Sequence, residues 1–187
     1  MIQKPMFSPQ TEWLPPESFP DLSNYNEIAI DLETKDPELK STGSGSITGK
    51  GQIVGIAVAV EGWSGYYPIA HEGGGNMDKK KVMDWFRTIL NYDSVKIFHN
   101  AMYDVCFIRA AGLKINGLIV DTMIAGSLVD ENRFRYDLGS MGRDYLGKGK
   151  NESVLKETAD IWGVDAKSEM YKLPAMYVGE YAEEDAK

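Results

Sequence analysis

One cysteine and two histidines are all that 187 residues provide of those types. The lone thiol, Cys106, excludes a disulfide within the chain and suits a reducing cytoplasm. It lies in an apolar helical pattern, which points to packing rather than catalysis. Basic charge is also short: 20 Lys and Arg against 28 Asp and Glu give a formal net charge of −8. A nucleic-acid clamp that works by electrostatics would be basic. An acidic chain can still act on nucleic acid if its acids hold metal ions at one small site. No apolar run reaches the ~20 residues that span a bilayer. The N-terminus MIQKPMFSPQ carries no signal-peptide pattern, so no membrane partner is expected. What is present, 43% hydrophobic residues, suffices for one ordinary domain with its own core.

Proline is unevenly spread. Five of the eight (Pro5, Pro9, Pro15, Pro16, Pro20) fall in the first 20 residues. Residues 1–25 are therefore expected to form an extended arm, with the domain proper over 26–187. NEIAIDLE reads as a strand. The Gly- and Ser-rich stretch at 36–51 reads as a mobile loop beside it. QIVGIAVAV is a near-continuous apolar strand, so both its faces should be covered. WSGYYPI is a third strand, and the short connections predict an antiparallel meander. In MDKKKVMDWFRTILN, Val82, Trp85, Phe86, Ile89 and Leu90 keep helical spacing. SVKIFHN is a strand, AMYDVCFIRAAG a helix stopped by Gly112, and GLIVDT a short last strand before further helices. The order predicts an α/β fold: a mixed five-stranded sheet flanked by helices, with helical crossovers joining the parallel strands.

Acids interrupt the apolar elements. Strand alternation sends Asp31 and Glu33 to the same face. Burying one unpaired carboxylate is costly, and two side by side also repel. A divalent cation between them resolves both problems; a solvated acid face at a sheet edge is the plainer reading, and D-x-E alone is common. Asp104 stands one turn into a helix that follows a strand end, where sites form in mixed sheets. A helix N-terminal acid favoured by the dipole fits it equally well. Tyr181 and Asp185 are four apart and share a helix face, while Glu183 and Glu184 point elsewhere, to solvent. Asp31, Glu33, Asp104 and Asp185 together are hard oxygen donors without a histidine or cysteine partner. Such a set suits Mg²⁺ or Mn²⁺ rather than zinc. Carboxylate cages of this kind serve two-metal phosphoryl chemistry, with ions roughly 3.5–4 Å apart.

These motifs, in this order, resemble the DEDD superfamily of 3′→5′ exonucleases with a ribonuclease H-like fold, in its Tyr-type branch. YYPIAHEGG, IVDTMIAGSLVDENRFRYDLGSM and YAEEDA look like the proofreading exonuclease domain of family-A (Pol I-type) DNA polymerases, and DLETKDPELK is similar to phage members. The likeness covers about residues 25–187. It implies that Asp31, Glu33 and Asp185 bind a first metal ion, that Asp31 also reaches a second, and that Asp104 acts mainly through water. Tyr181 would orient the attacking water; a phenol of pKa ~10 is no base at neutral pH. Thr34, Asn100, Tyr103 and Arg135 would lie near the single-stranded 3′ end, Arg135 pairing a phosphate or a helix-start acid. The stretch GKGKNESVLKETADIWGVDAK matches the family least, and the family's apolar wedge is not placed there; Leu155 is only a guess at it. Asp121 reads instead as a helix cap, His99 as a strand-end residue and His71 as structural.

The implied activity is removal of 3′-terminal nucleotides from single-stranded DNA, with two Mg²⁺ or Mn²⁺ ions per site. The implied partners are that 3′ end and a polymerase domain on the same, longer chain. The sequence ends two residues past Asp185, so a truncated or excised domain is expected, monomeric and working in a bacterial or phage-infected cytoplasm. Two other readings stay open: an exoribonuclease of the same superfamily, and an inactive binding module. DNA and RNA are told apart at the 2′ position, which the motifs do not address.

Overall fold

The computed structural model of the protein describes residues 9–187. Residues 1–8, part of the expected arm, lie outside the described residues. Three antiparallel strands come first: β1 (Glu27–Lys35), β2 (Gln52–Val60) and β3 (Trp63–Pro68). Helix α3 (Lys79–Asn91) crosses to β4 (Val95–Phe98), which pairs parallel to β1. Helix α4 (Ala101–Ala110) crosses to β5 (Ile119–Asp121), parallel to β4. The sheet order is β3-β2-β1-β4-β5, the mixed five-stranded sheet that the sequence predicts. Four more helices follow: α5 (Thr122–Val129), α6 (Leu138–Leu146), α7 (Ser153–Trp162) and α8 (Gly179–Ala186).

Alternation along β1 divides the molecule into two cores. Ile28, Ile30 and Leu32 face one way, against Ile56 and Val58 of β2, Phe86 and Leu90 of α3, and Phe107 and Ile108 of α4. Ala57, Ala59 and Tyr66 face the other way, against Leu155 and Ala159 of α7 and Tyr181, Ala182 and Ala186 of α8. β2 is buried from Ile53 to Ala59 because helices cover both its faces. Asp31 pairs with Ala57 and Glu33 with Gly55, so the acids share the α8 face of the sheet. Beyond Glu33 the register slips to Thr34 opposite Ile53, leaving Val54 as an extra residue on β2. The bulge bends the sheet at the end of β1 that carries the acids. The spare Val54 carbonyl accepts from the backbone N–H groups of Ile69 and Ala70.

The stretch at 36–51, expected as a loop, is folded on itself. It holds two one-turn helices, α1 (Leu39–Thr42) and α2 (Gly45–Thr48). Asp36 accepts from the Gly45 N–H at 3.0 Å, and Gly51 N–H donates to the Gly45 carbonyl at 3.0 Å. A side chain at Gly45 would strike the Gly51 backbone, 2.5 Å from a Cβ there. Cys106 is half-buried, and no bond ties it to another residue's sulfur.

Residues 9–25 contain no helix or strand but are well anchored. Phe19 stacks on Tyr67 with ring centroids 5.5 Å apart, and Trp85 Nε1 donates to the Pro20 carbonyl at 2.9 Å. Trp13 lies over Gly179 at the start of α8, so close that a Cβ there would be 2.1 Å from the indole. Lys96 is buried within the sheet and gives its protons to the carbonyls of Tyr92, Ser94 and Asn116. Burial pushes that ammonium's pKa down. Among the described residues no helix is long and apolar enough to cross a membrane.

Candidate active site

The site forms where the end of β1, the first turn of α4 and the last turns of α8 meet. β1 contributes half-buried Asp31 and buried Glu33; α4 contributes Asp104, only 4% exposed. α8 contributes Tyr181, buried, and Asp185, one turn further on the same helix face. The acids feel one another. Burial, then the charge of Asp185, pushes the Asp31 carboxyl up to about 7. Burial, then Asp31, raises Asp104 to about 8. Glu33 is driven well above the usual carboxylate range by burial and then by Asp31 and Asp185. Burial, followed by Glu33 and Asp185, pushes the Tyr181 phenol up as well, so the tyrosine keeps its proton.

Among the described residues, one cation faces this group. Lys150, in the connection between α6 and α7, puts Nζ 2.7 Å from Asp185 Oδ2 and 5.2 Å from the centre of the Tyr181 ring. The other oxygen, Asp185 Oδ1, is buried without a hydrogen-bond partner. A single ammonium leaves four carboxyl groups under-compensated. An orphaned carboxylate oxygen amid hard oxygen donors fits a divalent ion of the Mg²⁺ or Mn²⁺ type. Among the described residues, however, no three acidic, imidazole or thiol groups stand close enough to form a cage as they are.

Around the acids, Tyr103 Oη lies 2.9 Å from Thr34 Oγ1 and donates to Asp36 Oδ2 at 3.0 Å. These residues line a cavity of about 230 Å³ with Pro37, Lys40 and Lys167. Asn100 opens α4 with φ 64°, the one non-glycine residue with positive φ among the described residues. Its conformation is held from below: Asp121 accepts the backbone N–H groups of Asn100, Ala101 and Met123, the capping role expected of it. Arg135 does not join Thr34 and Tyr103. It lines a separate open cleft with Arg133, Phe134 and Arg143.

Other residues behave as read, or differ for definable reasons. His71 is structural: its ring lies 3.0 Å from the Leu173 carbonyl at Nδ1 and 2.6 Å from Tyr66 Oη at Nε2. His99 Nδ1 lies 2.9 Å from Thr122 Oγ1 at the end of β4. Leu155 is no wedge; it is 3% exposed and packed into the core under α8. Glu183 is not solvated. Its Oε1 accepts from Trp13 Nε1 at 2.8 Å and from the Tyr66 N–H at 3.1 Å, closing a free donor of edge strand β3. Sequence reading missed Lys150, Asp36 and Glu183. For Lys150 the signal was slight, a lysine next to Gly149 in a polar connection.

Comparison with known proteins decides the lineage. The profile of the 3′–5′ exonuclease family found in A-type DNA polymerases matches residues 7–187. The chain belongs to this 3′–5′ exonuclease family. A DNA-directed DNA polymerase of Pseudomonas phage M6 is 33% identical over 199 aligned positions, covering all of this chain and 29% of the relative. DNA polymerase DpoZ of Salmonella phage PMBT28 is 27% identical, covering 90% of this chain and 26% of that protein. The exonuclease chain thus spans less than a third of the polymerases it matches. Solved structures share its fold at low identity. Brucella melitensis NrnC with bound Mg²⁺ superposes with a TM-score of 0.54 at 18% identity, over 89% of this chain and 69% of NrnC. Escherichia coli RNase D gives 0.55 at 16% identity, over 88% and 36%. The ribonuclease H-like fold of these exonucleases is therefore the fold of this chain.

Proposed function

We propose that this domain removes nucleotides one at a time from the 3′ end of single-stranded DNA, as the proofreading part of a longer polymerase. The observation that carries the reading is the convergence of Asp31, Glu33, Asp104 and Asp185 with Tyr181 at one end of the sheet. Asp31, Glu33 and Asp185 would hold one Mg²⁺ or Mn²⁺ ion, with Asp31 and Asp104 serving a second. Such ions stabilise charge on the attacking and leaving oxygens of an in-line displacement.

The chain's own residues do the rest. Tyr181, kept protonated, orients the attacking water through its hydroxyl. Thr34 and Tyr103, locked to each other, form a firm wall for the terminal nucleotide. Water adds to phosphorus, the bond to the 3′ oxygen of the preceding nucleotide breaks, and that oxygen takes a proton. The products are a nucleoside 5′-monophosphate and a strand shorter by one, with a 3′ hydroxyl. Arg135, in its separate cleft, would meet the strand away from the reacting phosphate. We place the exonuclease domain at residues 26–187, with residues 9–25 packed on it as an arm that helps seat α8, monomeric, in a bacterial or phage-infected cytoplasm.

RNase D, whose structure shares the fold, is named as an exoribonuclease, so RNA is the competing substrate. The test uses matched DNA and RNA oligonucleotides with Mn²⁺. The unmutated protein should shorten DNA faster than RNA, and Asp31→Ala should lower the rate at least a hundredfold with an unchanged circular-dichroism spectrum. Preference for RNA would overturn the substrate; an active Asp31→Ala protein would overturn the site.

A further inference from the structure

We propose that Lys150 is a displaceable counter-ion built into the acid site: it holds Asp185 until a divalent cation arrives and so sets the affinity for that cation. The inference rests on the metal-centre reading above and adds a residue and a role to it.

Four observations converge. The Lys150 ammonium already occupies one oxygen of Asp185, at 2.7 Å, while the other is buried and unpartnered. Among the described residues, no three donors close into a cage in this arrangement. Of the two partners, Asp185 is the fixed one: it rides on α8, packed against the sheet, with its side chain 7% exposed. Lys150 is the movable one, on a flexible four-carbon stem in an irregular connection, with its side chain 23% exposed. Gly149 before it has no heavy atom nearer than 3.8 Å to where a Cβ would be, so the backbone there has room.

The Tyr181 ring provides a second resting place. Lys150 Nζ is already 5.2 Å from its centre, within range of a cation–π contact. The ammonium can therefore release Oδ2 and stay above the ring. Both Asp185 oxygens would then be open to a divalent ion, with the competing charge moved only a short way. In the absence of metal the same lysine limits the repulsion among the four acids.

The experiment is calorimetric titration of metal-stripped protein with MnCl₂, paired with thermal unfolding with and without Mn²⁺. Lys150→Met should bind Mn²⁺ about tenfold more tightly than the unmutated protein, about 1.4 kcal/mol. It should melt lower without metal and show the larger Mn²⁺-induced rise, because stabilisation follows the ratio of ligand to dissociation constant. Lys150→Arg, which keeps the charge, should stay near the unmutated affinity. Should Lys150→Met not fold, Lys150→Gln carries the same expectation. If the unmutated protein binds Mn²⁺ and the neutral variant binds it equally or more weakly, Lys150 is no competitor and the inference fails alone. If no form binds Mn²⁺, the metal-centre reading fails and takes the inference with it.

Discussion

Three buried or half-buried carboxyl groups, Asp31, Glu33 and Asp104, have pKa values displaced upward, whereas His71 is displaced downward. The signs carry different information. The acids are pushed upward by burial and mutual repulsion, a setting that a positive charge placed among them would relieve. His71 is held neutral by burial, between Tyr66 and the Leu173 carbonyl, and its pKa falls to about 4 from 6.5. With the folded value below the unfolded one, the histidine's contribution is present above pH ~6.5 and is lost as pH falls toward ~4. It amounts to roughly 3 kcal/mol at neutral pH. The acids act oppositely, since their raised folded values make stability fall as pH rises through them. A comparison of variants separates the two. The stability gap between the unmutated protein and His71→Gln, from urea unfolding with EDTA, should shrink between pH 7 and pH 4.5. Parallel profiles would show that His71 does not titrate as described.

At the scale of elements, α8 decides the site, and its seat is built from distant parts of the chain. Glu183 joins α8 to the edge strand through the Tyr66 N–H and to the N-terminal segment through Trp13. Removing that carboxylate leaves two partly buried donors unpaired, at a cost of about 1–3 kcal/mol. Glu183→Ala should therefore lower the stability of the metal-free protein by that amount and also weaken Mn²⁺ binding, because Tyr181 and Asp185 ride on the same helix. Glu183→Gln, which keeps an acceptor, should recover most of both. Urea unfolding and Mn²⁺ titration check it; a variant that loses stability but keeps full affinity would show that α8 is positioned by its core alone.

What could be read from the sequence follows the same division. The strands of the meander, the two crossover helices and the face shared by Asp31 and Glu33 depend on local spacing, and local spacing is visible in a string of letters. The clasp on 36–51 depends on Asp36 meeting Gly45, and Glu183 meets Trp13 only after the sheet has formed. Lys96 looks like a solvated strand residue until three carbonyls from two turns close on it. The stretch least like the family offers no wedge by its letters, and Leu155, the guess there, is turned inward by helical packing. Lys150 needed the tertiary placement of a polar connection, which no periodicity encodes.

Across the whole molecule, a net charge of −8 surrounds a small site that demands cations. On the proposed reading a strand would be held locally, at the acids and at the cleft where Arg135 and Arg143 stand beside the Arg133–Asp144 ion pair, rather than by a broad basic surface. Helices cover both faces of the sheet behind the acid-bearing end of β1, and Lys150 reaches that end from an irregular connection. Direction and chemistry at that end are tested by single-stranded DNA labelled at its 5′ end and mixed with the protein and Mn²⁺. The expected outcome is a ladder of labelled strands shortened one nucleotide at a time, with nucleoside 5′-monophosphates released and no reaction in EDTA. Loss of the 5′ label as a mononucleotide, internal cuts, or an intact strand in the presence of Mn²⁺ would contradict it.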